Sequence, residues 1–460
     1  MQFAPLNKKI FRKKDIPMKK VLAIILAGMV TATAFAGCGG SGGGSTASGS
    51  ESAASGSESK ADGGATIDAN WPDASMFGDE TDIDLKVWAP DAAVELVKKQ
   101  VEEFKKHYSE VKFKNIEVRA QGESDAATNM IKDPEKGADV FGFPSDQLDK
   151  LLAAQVLSPV AKGFVSTIEA NNAEKPVVAA KEGDSLYAYP ETNDNGYYLV
   201  YDNTVVTADD AKTFEGVLEA CKKAGKQFVM DAGNGFYSCT FAFTGGALID
   251  GFEADGATQK FVDYNEDTVV KTLMAFAKLM KTYKGTFTSQ DVANISAGFK
   301  NGKVAAGVDG TWDSNGNKDA LGDKFGAAKL PTIKVGNEDK QLISLFGYKY
   351  IGVNARTKFQ RSAQILAYYL TGQDCQTQRA ETLGWGPSNT KAMEAVSSDP
   401  IIQAVSAQSQ NAVPQVKIAG TFWTSMGTLG SEMYKDGWNP DDEAATKSLW
   451  EKVVAQIRDE

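Results

Sequence analysis

Histidine is almost missing from this chain: of 460 residues, one is histidine, His107. That takes Ser-His-Asp chemistry and the commonest metal ligand off the roll of candidate activities. Cysteine is scarce as well, at four. Cys221, Cys239 and Cys375 stand too far apart for a disulfide framework, so buried thiols with at most one bridge are expected. Positive charge is in deficit: 49 Lys and Arg face 60 Asp and Glu. The first 37 residues hold seven of the basic residues and one of the acidic, leaving 42 against 59, a net charge of −17. That sign disfavours nucleic acid and anionic membrane surfaces as partners. The apolar stretch from Val21 to about Val30 falls short of the roughly 20 residues that span a membrane.

What that stretch does form is a secretory signal. "MKKVLAIILAGMVTATAFAGC" from Met18 places two lysines, an apolar core and small residues in order. Phe35-Ala36-Gly37-Cys38 resembles a bacterial lipobox, with Phe35 where Leu is more usual, and makes Cys38 the expected lipidated N-terminus. The Gly, Ser and Ala segment after Cys38 cannot bury a core and reads as a flexible tether. Residues 1–37 are thus assigned to the signal with an upstream extension, and 38–67 to the anchor and linker. The remainder is long enough for two globular lobes.

Within it, "IDLKVW" alternates as a strand, with Ile83, Leu85 and Val87 on one face. A helix follows Pro90, with Val94, Val97, Val101 and Phe104 at helical spacing. "NIEVRA" and "ADVFGF" read as further strands, and this β-α-β-α-β order predicts a mostly parallel sheet flanked by helices. "KQFVMD", "KVAAGVDG" and "GYKYIGVN" continue the alternation, "NEDT" caps a helix through Met280, and the last hundred residues read as almost wholly helical.

Aromatic residues border the ends of these strands among Gly, Ser, Thr and Asn: Phe143, Phe236, Tyr237, Trp312, Trp385 and Trp423. In open α/β sheets ligands sit beyond the carboxyl ends of strands. Flat rings there suit the C–H face of a pyranose, while amides and carboxylates bond its hydroxyls. For Trp312 the plainer alternative is a ring wedged between sheet and helix, and for Asp146 it is a helix cap before "QLDKLL".

At this point the chain resembles the extracellular solute-binding proteins of carbohydrate ABC transporters, in particular the maltodextrin-binding group. The resemblance rests on "DLKVWAP", "GADVFGFPSDQLDKLLAAQVLSPV", "SLYAYP", "FKNGKVAAGVDGTW", "GWGPSN" and "GTFWTSM", in that order over nearly the whole mature chain. It implies an α/β, two-lobed, periplasmic-binding-protein-like fold of type II, with the ligand cleft between lobes. The first lobe would comprise 68–193 and 347–390, the second 194–346 and 391–460. The implied ligand contacts are Phe143 and Asp146 from the first lobe, Asp194 or Asn195 at the hinge, and Asn234, Phe236, Tyr237, Trp312, Trp385 and Trp423. The implied partners are an oligosaccharide, an α-glucan fragment, and the permease subunits of a transporter. The protein would be a monomer held by its lipid on the outer face of the cell membrane, without cofactor or metal.

Two rival classes stand beside this. A secreted glycoside hydrolase needs two carboxylates across an aromatic cleft, which Asp146 with Asp194 or Glu191 could supply, but no motif marks such a pair. A ferric-ion carrier on the same fold could use the adjacent Tyr197 and Tyr198, although in a strand one ring should enter the core and the other face solvent. Other motifs fail outright. "GFKNGKV" has three residues between its glycines where a phosphate loop needs four. The loop from Asp313 has Lys318 and Lys324 where a calcium loop needs Gly and Glu. His107, in "EEFKKHYSE", reads as a solvated surface residue. The chain is therefore expected to bind and not to catalyse.

Overall fold

The computed structural model describes residues 71–459; the signal segment, Cys38 and the tether lie outside them. Ten strands make one sheet: β1 (Ile83–Ala89), β2 (Phe113–Ala120), β3 (Val140–Pro144), β4 (Tyr189–Asp202), β5 (Gln227–Val229), β6 (Phe287–Thr288), β7 (Val304–Gly310), β8 (Phe325–Ala328), β9 (Ser344–Val353) and β10 (Ala412–Pro414). Ile83, Leu85 and Val87 alternate into the core as expected. The strand order is β6-β5-β7-β4-β9-β3-β1-β2, with β8 added on β4 and β10 on β9.

The expected parallel pairing holds at the flanks, where β1 pairs β2 and β3, and β5 pairs β6 and β7. The centre is antiparallel. β4 and β9 run against each other, and each runs against its flanking neighbour. The first half of β4 pairs β9 and its second half pairs β7, so these two long strands carry the sheet from one flank to the other.

Helices cover both faces. Val97, Val101 and Phe104 bury one side of the helix Val94–His107 against the first flank. Asn265 caps Glu266–Thr282 by accepting the Thr268 amide at 3.0 Å. From Gln360 onward the regular elements of the described residues are helices, with β10 the exception.

Covering on both faces corrects one expectation. Tyr197 and Tyr198 point to opposite sides of β4, yet both are fully buried. Tyr197 shares a 2.6 Å hydrogen bond with Thr240 in the helix Gly235–Thr244, and Tyr198 one of 3.3 Å with Ser314 in the helix Ser314–Leu321. His107 is also less solvated than expected, because its ring lies 3.9 Å from that of Trp71, and burial lowers its pKa. Cys221, Cys239 and Cys375 are buried free thiols. No helix of the described residues is long and apolar enough to cross a membrane.

Candidate ligand cleft

Three partly exposed rings from distant parts of the sequence converge. Trp312 lies in the short turn Thr311–Asp313 directly after β7, Phe236 in the first turn of Gly235–Thr244, and Trp423 in the first turn of Gly420–Tyr434. The ring of Phe236 is 5.8 Å from that of Trp312 and 6.5 Å from that of Trp423. Two glycines permit this approach. A Cβ on Gly310 would overlap the Trp312 indole, and one on Gly235 would overlap the Trp423 carbonyl. The run of small residues that ends at Trp312 thus lets the indole fold back over the end of its own strand.

Asn234 holds Phe236 in place, its side chain accepting the Phe236 amide at 3.0 Å as the helix cap. Tyr237, by contrast, is almost fully buried behind this floor, its ring 5.1 Å from Tyr197.

Carboxylates lie next to the floor. Asp309, buried near the end of β7, accepts the Gly310 amide at 2.8 Å and the Asn317 side-chain amide at 2.7 Å. Burial and the adjacent Asp313 charge push its pKa up to about 8. Asp313 is raised too, by burial and by Asp291.

Between β4 and β9 a buried charge cluster forms. Lys349 of β9 pairs with Glu123 at 2.8 Å, and its ammonium lies 4.3 Å from the centre of the Trp385 ring. Arg379 pairs with Glu191 at 3.0 Å. Burial alone would lower the Lys349 pKa, but Glu123 and Asp194 hold it above its ordinary value. Asp194 accepts the Gly386 amide at 2.5 Å, and burial raises its pKa. Neither Lys349 nor Glu123 was among the sequence candidates; the signal was a lone lysine inside the otherwise apolar "GYKYIGVN".

Besides Tyr237, two more expected ring positions are core positions. Phe143 is fully buried between Phe141 and Tyr350, 5.6 and 5.8 Å away, because β3 is covered on both faces. Trp385 is 3% exposed, and Lys349 occupies a face of its ring.

Asp146 is also buried, but as part of a polar network. Gln147 donates to one carboxylate oxygen at 2.6 Å and Gln415 to the other at 3.0 Å, while Asn195 donates to Gln415 at 2.7 Å. Burial raises the Asp146 pKa to about 6. The helix Leu148–Ala153 starts from Gln147 with no side-chain cap, so Asp146 is not its cap. Asp194 and Asn195, which the sequence left as alternatives, serve different partners, Gly386 and Gln415. A recess of about 470 Å³ opens beside Asp146, lined also by Lys150, Thr258, Thr421 and Arg458. Among the described residues no group of three or more His, Cys, Asp or Glu is placed to hold a metal ion.

A family model described as bacterial extracellular solute-binding protein matches residues 99–404. The chain is 25% identical over 295 residues to a maltooligosaccharide ABC transporter solute-binding lipoprotein of Streptococcus pneumoniae serotype 4, covering 61% of this chain and 67% of that protein. Its structure resembles the maltodextrin binding protein of L. casei BL23, solved without ligand, with 25% identity, a TM-score of 0.68, and 81% of this chain and 98% of that chain covered. A Thermus thermophilus maltotriose binding protein bound with maltotriose, 21% identical, shares the two-lobed fold with a TM-score of 0.69 over 82% of this chain and 99% of that chain. With two thirds of its length inside the family model and the same fold in solved relatives, the chain belongs to the bacterial extracellular solute-binding proteins.

Proposed function

We propose that the protein captures maltodextrins or related α-glucan fragments outside the cell for import by an ABC transporter. The observation that carries this reading is the aromatic floor of Phe236, Trp312 and Trp423, whose rings reach one another through Gly310 and Gly235. Stacking of a sugar on each ring contributes about 0.5 to 1.5 kcal/mol, and hydroxyl bonds to charged acceptors such as Asp146 add roughly 1.5 to 3 each. The names of the pneumococcal and L. casei relatives support the same substrate class.

The two lobes are assigned to 68–193 with 347–390, and to 194–346 with 391–460. This division is supported by β4 joining the flank of β7 through its second half while β9 joins the flank of β3 through its own second half. A third crossing after Asn389 is supported by the Asn172–Asn389 bridge on one side and the 2.5 Å Lys318–Asp399 pair on the other. The proposal includes a monomer, tethered through lipidated Cys38 on the outer membrane face, that delivers sugar to permease subunits and transforms none of it. The ferric alternative loses its ligands, since both tyrosines are buried and bonded to Thr240 and Ser314.

A thermal-shift screen against maltose, maltotriose, maltotetraose, cellotetraose and xylotetraose tests the substrate class, because a ligand of the folded state raises apparent stability by mass action. The α-glucans should raise the melting temperature in a concentration-dependent way. A shift with the β-linked sugars alone would overturn the assignment.

A further inference from the structure

Gln415, one residue past β10, lies where three segments meet. Its backbone amide donates to the Phe346 carbonyl of β9 at 2.8 Å, and its carbonyl accepts the Ser145 hydroxyl at 2.6 Å. Ser145 in turn accepts the Tyr348 amide at 3.2 Å. The Gln415 side chain donates to Asp146 at 3.0 Å and accepts from Asn195 at 2.7 Å. Gln415, Asp146 and Asn195 are each at least nine-tenths buried. Gly347, opposite Asn195 in the ladder, lacks a Cβ where the Gln415 side chain passes; an added Cβ would fall 2.9 Å from that of Gln415.

We propose that Gln415 is a positioning residue that aligns Asp146 and Asn195 with each other for recognition of sugar hydroxyls. The inference rests on the carbohydrate-binding reading above. The chemistry asks for an amide. One end must donate to a carboxylate and the other must accept from the Asn195 amide, and glutamine does both without charge. An ionised carboxylate offers about four acceptor sites, so Asp146, with one bond to each oxygen, keeps capacity for ligand hydroxyls. Glutamate at 415 would preserve the bond from Asn195 and set a second negative charge against Asp146. The other charges facing this spot are Lys150, whose field lowers the Asp146 pKa, and Asp149, Arg458 and Asp459 around the recess, with Lys417 and Glu182 acting on Asp149 in opposite directions.

The test compares wild type, Gln415→Glu and Gln415→Met from pH 5 to 8.5, using maltotetraose calorimetry and the melting temperature of the unliganded protein. Gln415→Glu should bind at least tenfold more weakly than wild type at pH 8. It should recover toward wild type as the pH falls toward 6, where one proton shared by the two carboxyls restores the donor that joins position 415 to Asp146; its melting deficit should shrink in parallel. Gln415→Met, which fills the space without either polar end, should bind at least tenfold more weakly at every pH, and it covers the case in which the glutamate variant does not fold at pH 8. Affinities of both variants that track wild type across the range would overturn the proposal. If no protein binds maltotetraose but the melting deficit of Gln415→Glu still closes on acidification, the positioning of Asp146 stands and the carbohydrate reading falls.

Discussion

The ammonium of Lys349 lies 4.3 Å from the centre of the Trp385 ring and 2.8 Å from the Glu123 carboxylate. A cation so placed is buried among Glu123, Glu191 and Asp194, and it offsets their mutual repulsion. Removing one partner of a buried pair leaves the other charge uncompensated, at a cost of about 3 to 5 kcal/mol. Lys349→Met should therefore lower unfolding stability by that order in a urea melt of the unliganded protein. A loss below about 1 kcal/mol would show that the cluster does not depend on the lysine.

Trp312 and Trp385 should respond oppositely to truncation. Trp312 is partly exposed on the floor, so Trp312→Ala is expected to weaken maltotetraose binding at least about tenfold, roughly 1.4 kcal/mol, with the unliganded melting temperature nearly unchanged. Trp385 is a core ring, so Trp385→Ala should cost about 3 to 5 kcal/mol of folding stability. The reverse pattern, a large stability loss at position 312 with normal affinity in the folded fraction, would remove Trp312 from the site.

The contrast between these two tryptophans also shows what the sequence discloses. Both stand one or two residues from a glycine, Trp312 after a strand and Trp385 after a helix, and local sequence does not distinguish a ring lying over Gly310 from one covered by Lys349. The strands and helices were legible because their periodicity is local: Ile83, Leu85 and Val87 alternate into the core, and Asn265 caps its helix. The antiparallel centre was not, since it depends on β4 pairing with β9 about 150 residues away. The Phe236, Trp312 and Trp423 convergence was half legible, as ring positions without distances. Gln415 carried no signal, because a glutamine in a loop acquires its role only when Asp146 and Asn195 arrive from other segments.

Asp309 should give the unliganded protein a distinct pH profile. Burial and Asp313 hold its proton on up to about pH 8, whereas an unfolded aspartate releases it near 4. Between those values the folded state binds a proton that the unfolded state has lost. Stability from this group is thus full at low pH and falls as pH rises toward 8, by at most about 1.4 kcal/mol per unit. Above 8 both states are deprotonated and the slope ends. Asp309→Asn should flatten the fall in melting temperature between pH 6 and 8; an unchanged slope would show that Asp309 is not the titrating group.

Closure provides a further check. With β4, β9 and the segment after Asn389 as the proposed crossings, a ligand touching both lobes would favour the closed form by its differential contacts with that form. Saturating maltotetraose should reduce the radius of gyration in small-angle scattering with no change in mass. An unchanged radius at demonstrated saturation would contradict a hinge between the assigned lobes.

The most direct test of the account is isothermal titration of maltotetraose into the purified wild-type protein in the presence of EDTA, with the sugar recovered and analysed afterwards. The account predicts saturable one-site binding, unaffected by the chelator, and maltotetraose recovered intact. Absence of binding heat at several temperatures, loss of binding on chelation, or recovery of shorter sugars would contradict it.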